Sequence, residues 1–147
     1  MRLPLFIRRL RAQGQTVAQA SIPSGLDVLT PLDDVVADII AHMTPQEIVD
    51  YKQEDSEYPG IRFHFSGGMS MRNNLGLWYN ETPIARWFKE NGIHHGDDRS
   101  ACIYKALYAR LKGIPFDIAA EARYYKEWWF KTYGTDYAGN KIDSIPK

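Results

Sequence analysis

The chain has 147 residues, with 18 Lys and Arg against 18 Asp and Glu, so its formal net charge is zero. That length suits one domain with its own core and is short for two. Zero net charge excludes a global field that would draw nucleic acid or an anionic membrane. A single cysteine, Cys102, excludes an intrachain disulfide and an all-cysteine metal site, and points to a reduced, intracellular setting.

Charge is nevertheless placed unevenly. Arg2, Arg8, Arg9 and Arg11 make the first segment basic, whereas the stretch from Asp33 to Glu57 is acidic. Gln, Ala, Ser, Pro and Gly dominate between Gln13 and Gly25 without an apolar period. Residues 1–28 are therefore expected to form an exposed, extended arm that does not enter the core of its own domain. Arg8, Arg9 and Arg11 are its candidate contact residues, with the acidic segment of a neighbouring subunit or a partner as the dock. The arm's short apolar piece ahead of its arginines does not suit a secretory signal, and Pro4 interrupts any surface-lying amphipathic helix. No apolar run is long enough to cross a bilayer.

The first helix is expected from Thr30, a cap followed by Pro31, with Leu32, Val35, Val36, Ile39, Ile40 and Met43 forming its apolar stripe. Thr44-Pro45-Gln46-Glu47 announces the second as a capping box, with Ile48, Val49 and Tyr51 as buried candidates. Lys52 to Gly60 reads as a loop. Ile61 to Leu77 is expected to be a helix closely packed at Gly67-Gly68 and ended by Gly76. The alternation of Phe63 and Phe65 with Arg62 and His64 keeps a strand open as the alternative. Thr82-Pro83 opens the next helix and Gly92 closes it. Asp97 or Asp98 is expected to cap another that stops at Gly113, and Asp117 to cap the last, which stops at Gly134.

On that last helix Tyr125 and Trp129 share the inward stripe, while Tyr124, Trp128 and Phe130 fall off it. Those three are the candidate binding residues, because off-stripe rings must be covered by a second burial or by a partner. The expected fold is all-α: a single domain of five to six short helices over residues 29–134, with an irregular tail from 135 to 147.

Three groups of residues carry possible chemistry. His94, His95, Asp97 and Asp98 are of metal-binding type, but adjacent histidines diverge, whereas helical metal motifs place ligands at i, i+3 or i+4. Capping by Asp97 or Asp98 is the stronger reading. Arg72 is either an anion-binding fork or, as favoured here, the partner of Asp97 or Asp98, with Asn73 satisfying backbone groups of the following turn. These four residues make a candidate structural polar cluster. Cys102 reads as a small core residue, and no catalytic residue, metal or cofactor is assigned. The last two helices offer Arg99, Lys105, Arg110, Lys112, Arg123, Lys126 and Lys131, but interspersed acids dilute this face, so nucleic acid is not the expected partner.

The blocks R-N-N-L-G-L-W (72–78), H-G-D-D (95–98) and R-Y-Y-K-E-W-W (123–129) resemble an uncharacterised domain of bacteriophage and bacterial proteins. Its pattern is R-N-x-x-G-L-W, H-x-D-D and a Tyr-Tyr pair before a closing Trp. The resemblance implies a phage or prophage origin, and the family has no activity to carry over. The expectation is thus a non-catalytic protein-binding module, a virion component or an effector of a host protein. It would act in the host cytoplasm or virion, with possible self-association through the arm. The alternatives are a metal-dependent hydrolase using His94–Asp98 with Arg72, and a nucleic-acid binder.

Overall fold

Threonine followed by proline opens three helices. Thr30, Thr44 and Thr82 cap α1 (Pro31–His42), α2 (Pro45–Lys52) and α4 (Pro83–Glu90), each accepting a backbone N–H three residues on. Asp33 and Glu47 return the favour to the cap residues' own N–H groups, completing two capping boxes. Asp117 caps α6 (Ile118–Tyr133). Two further helices, α3 (Met69–Asn74) and α5 (Gly96–Lys112), start without a Ser, Thr or Asp cap. The computed structural model describes residues 30–63 and 67–145, and among them the fold is all-α, with six α-helices, one 3₁₀ turn at Ile61–Phe63 and no strand.

Helix α5 is the centre of the bundle and packs against α1, α2, α3 and α6. Its buried residues run almost without a break from Arg99 to Ala109, as suits a helix covered on most sides. Leu32, Val36 and Ile39 of α1 join Phe88 of α4 and Ile103 and Leu107 of α5 in one apolar cluster. From α2 only Tyr51 is fully buried. Ile48 packs at the edge, and Val49, expected inside, is 48% exposed because an eight-residue helix covers the core with a single stripe.

Ile61 to Leu77 is not one helix. The 3₁₀ turn and the six-residue α3 occupy parts of it, and residues 64–66, which include His64 and Phe65, lie outside the described ones. A glycine pair at its start has poor helix propensity and supplies no capping side chain, so α3 stays short. Gly76 then takes the left-handed conformation (φ 62°), and the Leu77 N–H bonds back to the Arg72 carbonyl at 2.8 Å. The same closure ends α4, where Gly92 has φ 81° and the Ile93 N–H reaches the Phe88 carbonyl at 2.9 Å. In both cases the next residue, Leu77 or Ile93, turns into the core.

The tail is irregular apart from one isolated bridge between Thr135 and Lys141. It folds back on the body, where the Tyr137 ring stacks on His94 with centroids 4.0 Å apart.

Candidate functional site

The start of α5 gathers the two densest polar blocks of the sequence. Neither Asp97 nor Asp98 is the cap that opens it. His95 holds that position, its Nδ1 accepting the Asp97 N–H at 3.3 Å, and both aspartates lie in the first turn. Gly96 itself is sterically required: a side chain there would put its Cβ 2.6 Å from Cε3 of Trp78. The indole lies flat against the helix start, and only glycine admits it there.

Around that indole the polar groups interlock. Arg72, buried, brings its Nε to 3.1 Å from Asp97 Oδ1 and donates from Nη1 to Ser100 Oγ at 3.0 Å. Its guanidinium sits 5.4 Å from the Trp78 ring centroid. Asn73 accepts from Trp78 Nε1 at 3.0 Å, so it serves the indole and not a backbone turn. Asp98 takes no part in the Arg72 pair. Its Oδ2 accepts the Trp129 Nε1–H at 3.0 Å, which ties the first turn of α5 to α6. Burial pushes the Asp98 carboxyl above its ordinary range and Asp97 adds to this, while the Trp129 bond and His95 act against it.

Beside this network lies an open cleft of about 390 Å³ between the loop at Tyr58–Ile61, the first half of α5, and α6. Tyr124, Trp128, Trp129 and Tyr133 of α6 form its aromatic side. Tyr124 is 44% and Trp128 39% exposed, whereas Tyr125 is buried and Phe130 is half-buried away from the cleft. Trp129, expected inside, is only partly buried. It stands with Tyr125 and Asp98 as the wall between this cleft and a second cavity of about 200 Å³, closed on its far side by Asp136, Tyr137 and Ile142 of the tail. Lys105 reaches into the cleft, paired with Glu121 at 2.8 Å and 4.8 Å from the Tyr124 ring centroid.

Other candidates are spread apart. His94 stacks on Tyr137 while His95 faces Trp78 and Trp129, so the two imidazoles do not converge. Burial and the nearby cations Arg99, Lys89 and Lys126 hold His94 below its usual range. Among the described residues no three His, Cys, Asp or Glu side chains come together as a metal site. Cys102 is fully buried, and burial pushes its thiol well up. The basic face is broken up: Lys105, Arg110 and Lys131 pair with Glu121, Asp33 and Glu127. Arg8, Arg9 and Arg11 lie outside the described residues.

Arg99 is the residue that sequence reasoning placed wrongly. It is 1% exposed, not part of any basic face. Its Nε donates to the Ile93 carbonyl at 2.9 Å, its Nη1 to the carbonyls of Leu77 and Tyr79, both at 2.9 Å, and its Nη2 to Asn80 Oδ1 at 2.8 Å. Its position in register with Ile103 and Ala106, at i+4 and i+7, was the available signal.

Fold and site together define a small helical protein whose prominent surface feature is a ring-lined cleft flanked by carboxylates. Residues 30–111, more than half of the chain, match the family described as "Domain of unknown function (DUF6794)", and the chain belongs to that family. The match includes Arg72, Asp97 and Asp98 and ends before α6, which supplies the aromatic wall. No curated protein and no solved structure matches the chain.

Proposed function

We propose that this is a non-catalytic protein-binding module that receives a segment of a partner protein in the aromatic cleft. The observation that carries it is the exposure of Tyr124 and Trp128 at the mouth of the cleft, beside Trp129 and Tyr125, which are anchored from beneath. Exposed rings on a rigid helix make strong contacts at little entropic cost, and such residues dominate binding hot spots. A binding role over catalysis is supported by how the polar groups are committed. Asp97 is held by Arg72, Lys105 by Glu121, and the Cys102 thiol is out of reach of solvent. The phage or prophage setting, as virion component or effector of a host protein, rests on the resemblance of the 72–78, 95–98 and 123–129 blocks. The basic arm with Arg8, Arg9 and Arg11 is proposed as a second contact, to the partner or to another copy.

The test is capture from host lysate with wild-type protein and with a Tyr124→Ser/Trp128→Ser variant. Both positions are surface-exposed, so the variant should melt near the wild-type temperature and lose the captured protein. Equal capture by the two proteins would remove the cleft from the interaction.

A further inference from the structure

Asp98 is a half-buried carboxylate on the wall of a ring-lined cleft, and it makes an ion pair with no described cation. Among the described residues its one side-chain donor is the neutral Trp129 indole. Arg72 is matched with Asp97 and Lys105 with Glu121, and the neighbouring His95 imidazole accepts the Asp97 N–H as the cap of α5. A carboxylate in such surroundings is costly unless a positive group joins it. Resting on the binding role proposed above, we infer that the cleft takes a lysine or arginine side chain of the partner polypeptide, its charge against Asp98 and its stem along the aromatic side formed by Tyr124, Trp128, Trp129 and Tyr133.

Three features of the cleft fit that occupant. Its rings already hold one ammonium, since Lys105 Nζ lies 4.8 Å from the Tyr124 centroid and 5.7 Å from that of Tyr125. Asp98, the lining carboxylate that pairs with no described cation, would repel an anionic ligand. The volume of about 390 Å³ is near the small end for ligand pockets, room for one long side chain and a short flanking stretch. Long cationic side chains suit such a site because the stem packs on apolar rings while the head finds the charge.

The test uses the full-length protein and three otherwise identical Gly/Ser peptides carrying a central Lys, Arg or norleucine, followed by NMR at the tryptophan indole resonances. The Lys and Arg peptides should shift the Trp129 indole signal and saturate, while the norleucine peptide, equal in length but uncharged, should not. Asp98→Asn keeps an oxygen for the Trp129 N–H, so it should stay folded and bind the cationic peptides roughly tenfold or more weakly. Equal binding of norleucine and Lys peptides, unchanged binding by Asp98→Asn, or no Trp129 shift with either cationic peptide would overturn the inference. Partner capture separates the two levels. Capture retained by Asp98→Asn but lost by Tyr124→Ser/Trp128→Ser removes the cation and leaves the binding role standing. Capture retained by both variants removes the cleft from the interaction, and the cation site with it.

Discussion

Asp98 and Arg99 are neighbours in sequence and both charged, the first half-buried and the second fully buried, and the protein treats them oppositely. Arg99 turns into the body and gives its N–H groups to four neutral oxygens drawn from Leu77, Tyr79, Asn80 and Ile93. Asp98 turns to the α5–α6 junction, receives one neutral N–H, and lines the cleft. A buried charge with a full set of donors or acceptors is a structural strut, and one with a single neutral bond beside an open, ring-lined space is poised to meet a ligand. The Arg99 hub also explains why Gly76 and Gly92 matter together. Each turns its chain at a helix exit so that the next residue, Leu77 or Ile93, offers its carbonyl to the same guanidinium.

Replacing Arg99 should have the largest effect on this contrast. Arg99→Met leaves the carbonyls of Leu77, Tyr79 and Ile93 without that donor, at about 1–3 kcal/mol for each stranded group. The total approaches the whole stability of an ordinary domain, so the variant should be largely unfolded by circular dichroism. Arg99→Lys keeps the charge but loses the planar fork and should fold with a lower urea midpoint. An Arg99→Met protein melting like wild type would end its role as a strut.

Next in size is the seat of Trp78. Gly96→Ala puts a Cβ into the indole and should cost about 1–3 kcal/mol by overpacking, read by urea denaturation. The Trp78 indole should move with it, shifting its N–H resonance away from the Asn73 bond. Unchanged stability together with an unchanged Trp78 signal would show that the helix start is looser than the packing indicates.

How much of this could be seen in advance follows from the range of each interaction. The Thr-Pro starts at Thr30, Thr44 and Thr82 and the stops at Gly76, Gly92 and Gly113 depend on bonds within one or two turns, and they were legible. The all-α class followed from them. Arg99 was not, because its acceptors at Leu77, Tyr79 and Asn80 lie 19 to 22 residues away and none is an acidic side chain that pattern reading would pair with it. The His95 cap was hidden because Ser, Thr, Asp and Asn are the residues favoured at a helix start, and two aspartates stand just beyond it. The meeting of the 72–78 and 95–98 blocks was foreseeable from an arginine needing a carboxylate, but the choice of Asp97 over Asp98 was not, since adjacent residues on a helix start point to different neighbours.

That division of labour between the two aspartates can be measured. A double-mutant cycle of Arg72→Ala with Asp97→Ala should show coupling of about 1 kcal/mol, within the range for residues in contact and modest because Asp97 is 38% exposed. The cycle of Arg72→Ala with Asp98→Ala should be close to additive, because Asp98 bonds to Trp129 and not to the guanidinium. Larger coupling to Asp98 than to Asp97 would reverse the assignment.

The smallest effect concerns pH, and it isolates Asp98, which pairs with no described cation. Burial raises the Asp98 pKa above its ordinary value of 3.8; Asp97 adds to the rise, and the Trp129 bond and His95 limit it. The folded protein therefore holds this proton more tightly than the unfolded chain does. Between 3.8 and the raised folded value the native state carries the extra proton, so this group's contribution to stability falls as pH rises through that window and is constant above it. Asp98→Asn cannot titrate, so its stability relative to wild type should improve with rising pH across the same window and then level off. Urea midpoints of the two proteins measured in parallel would show it, and parallel curves throughout would mean that Asp98 is solvated after all. A saturating lysine peptide should flatten the wild-type slope, because a cation beside the carboxylate lowers its pKa back toward that of the unfolded chain. Arg99, a guanidinium that stays protonated and is held by four neutral oxygens, offers no such response, and the contrast between the two neighbours would then be visible in a single titration.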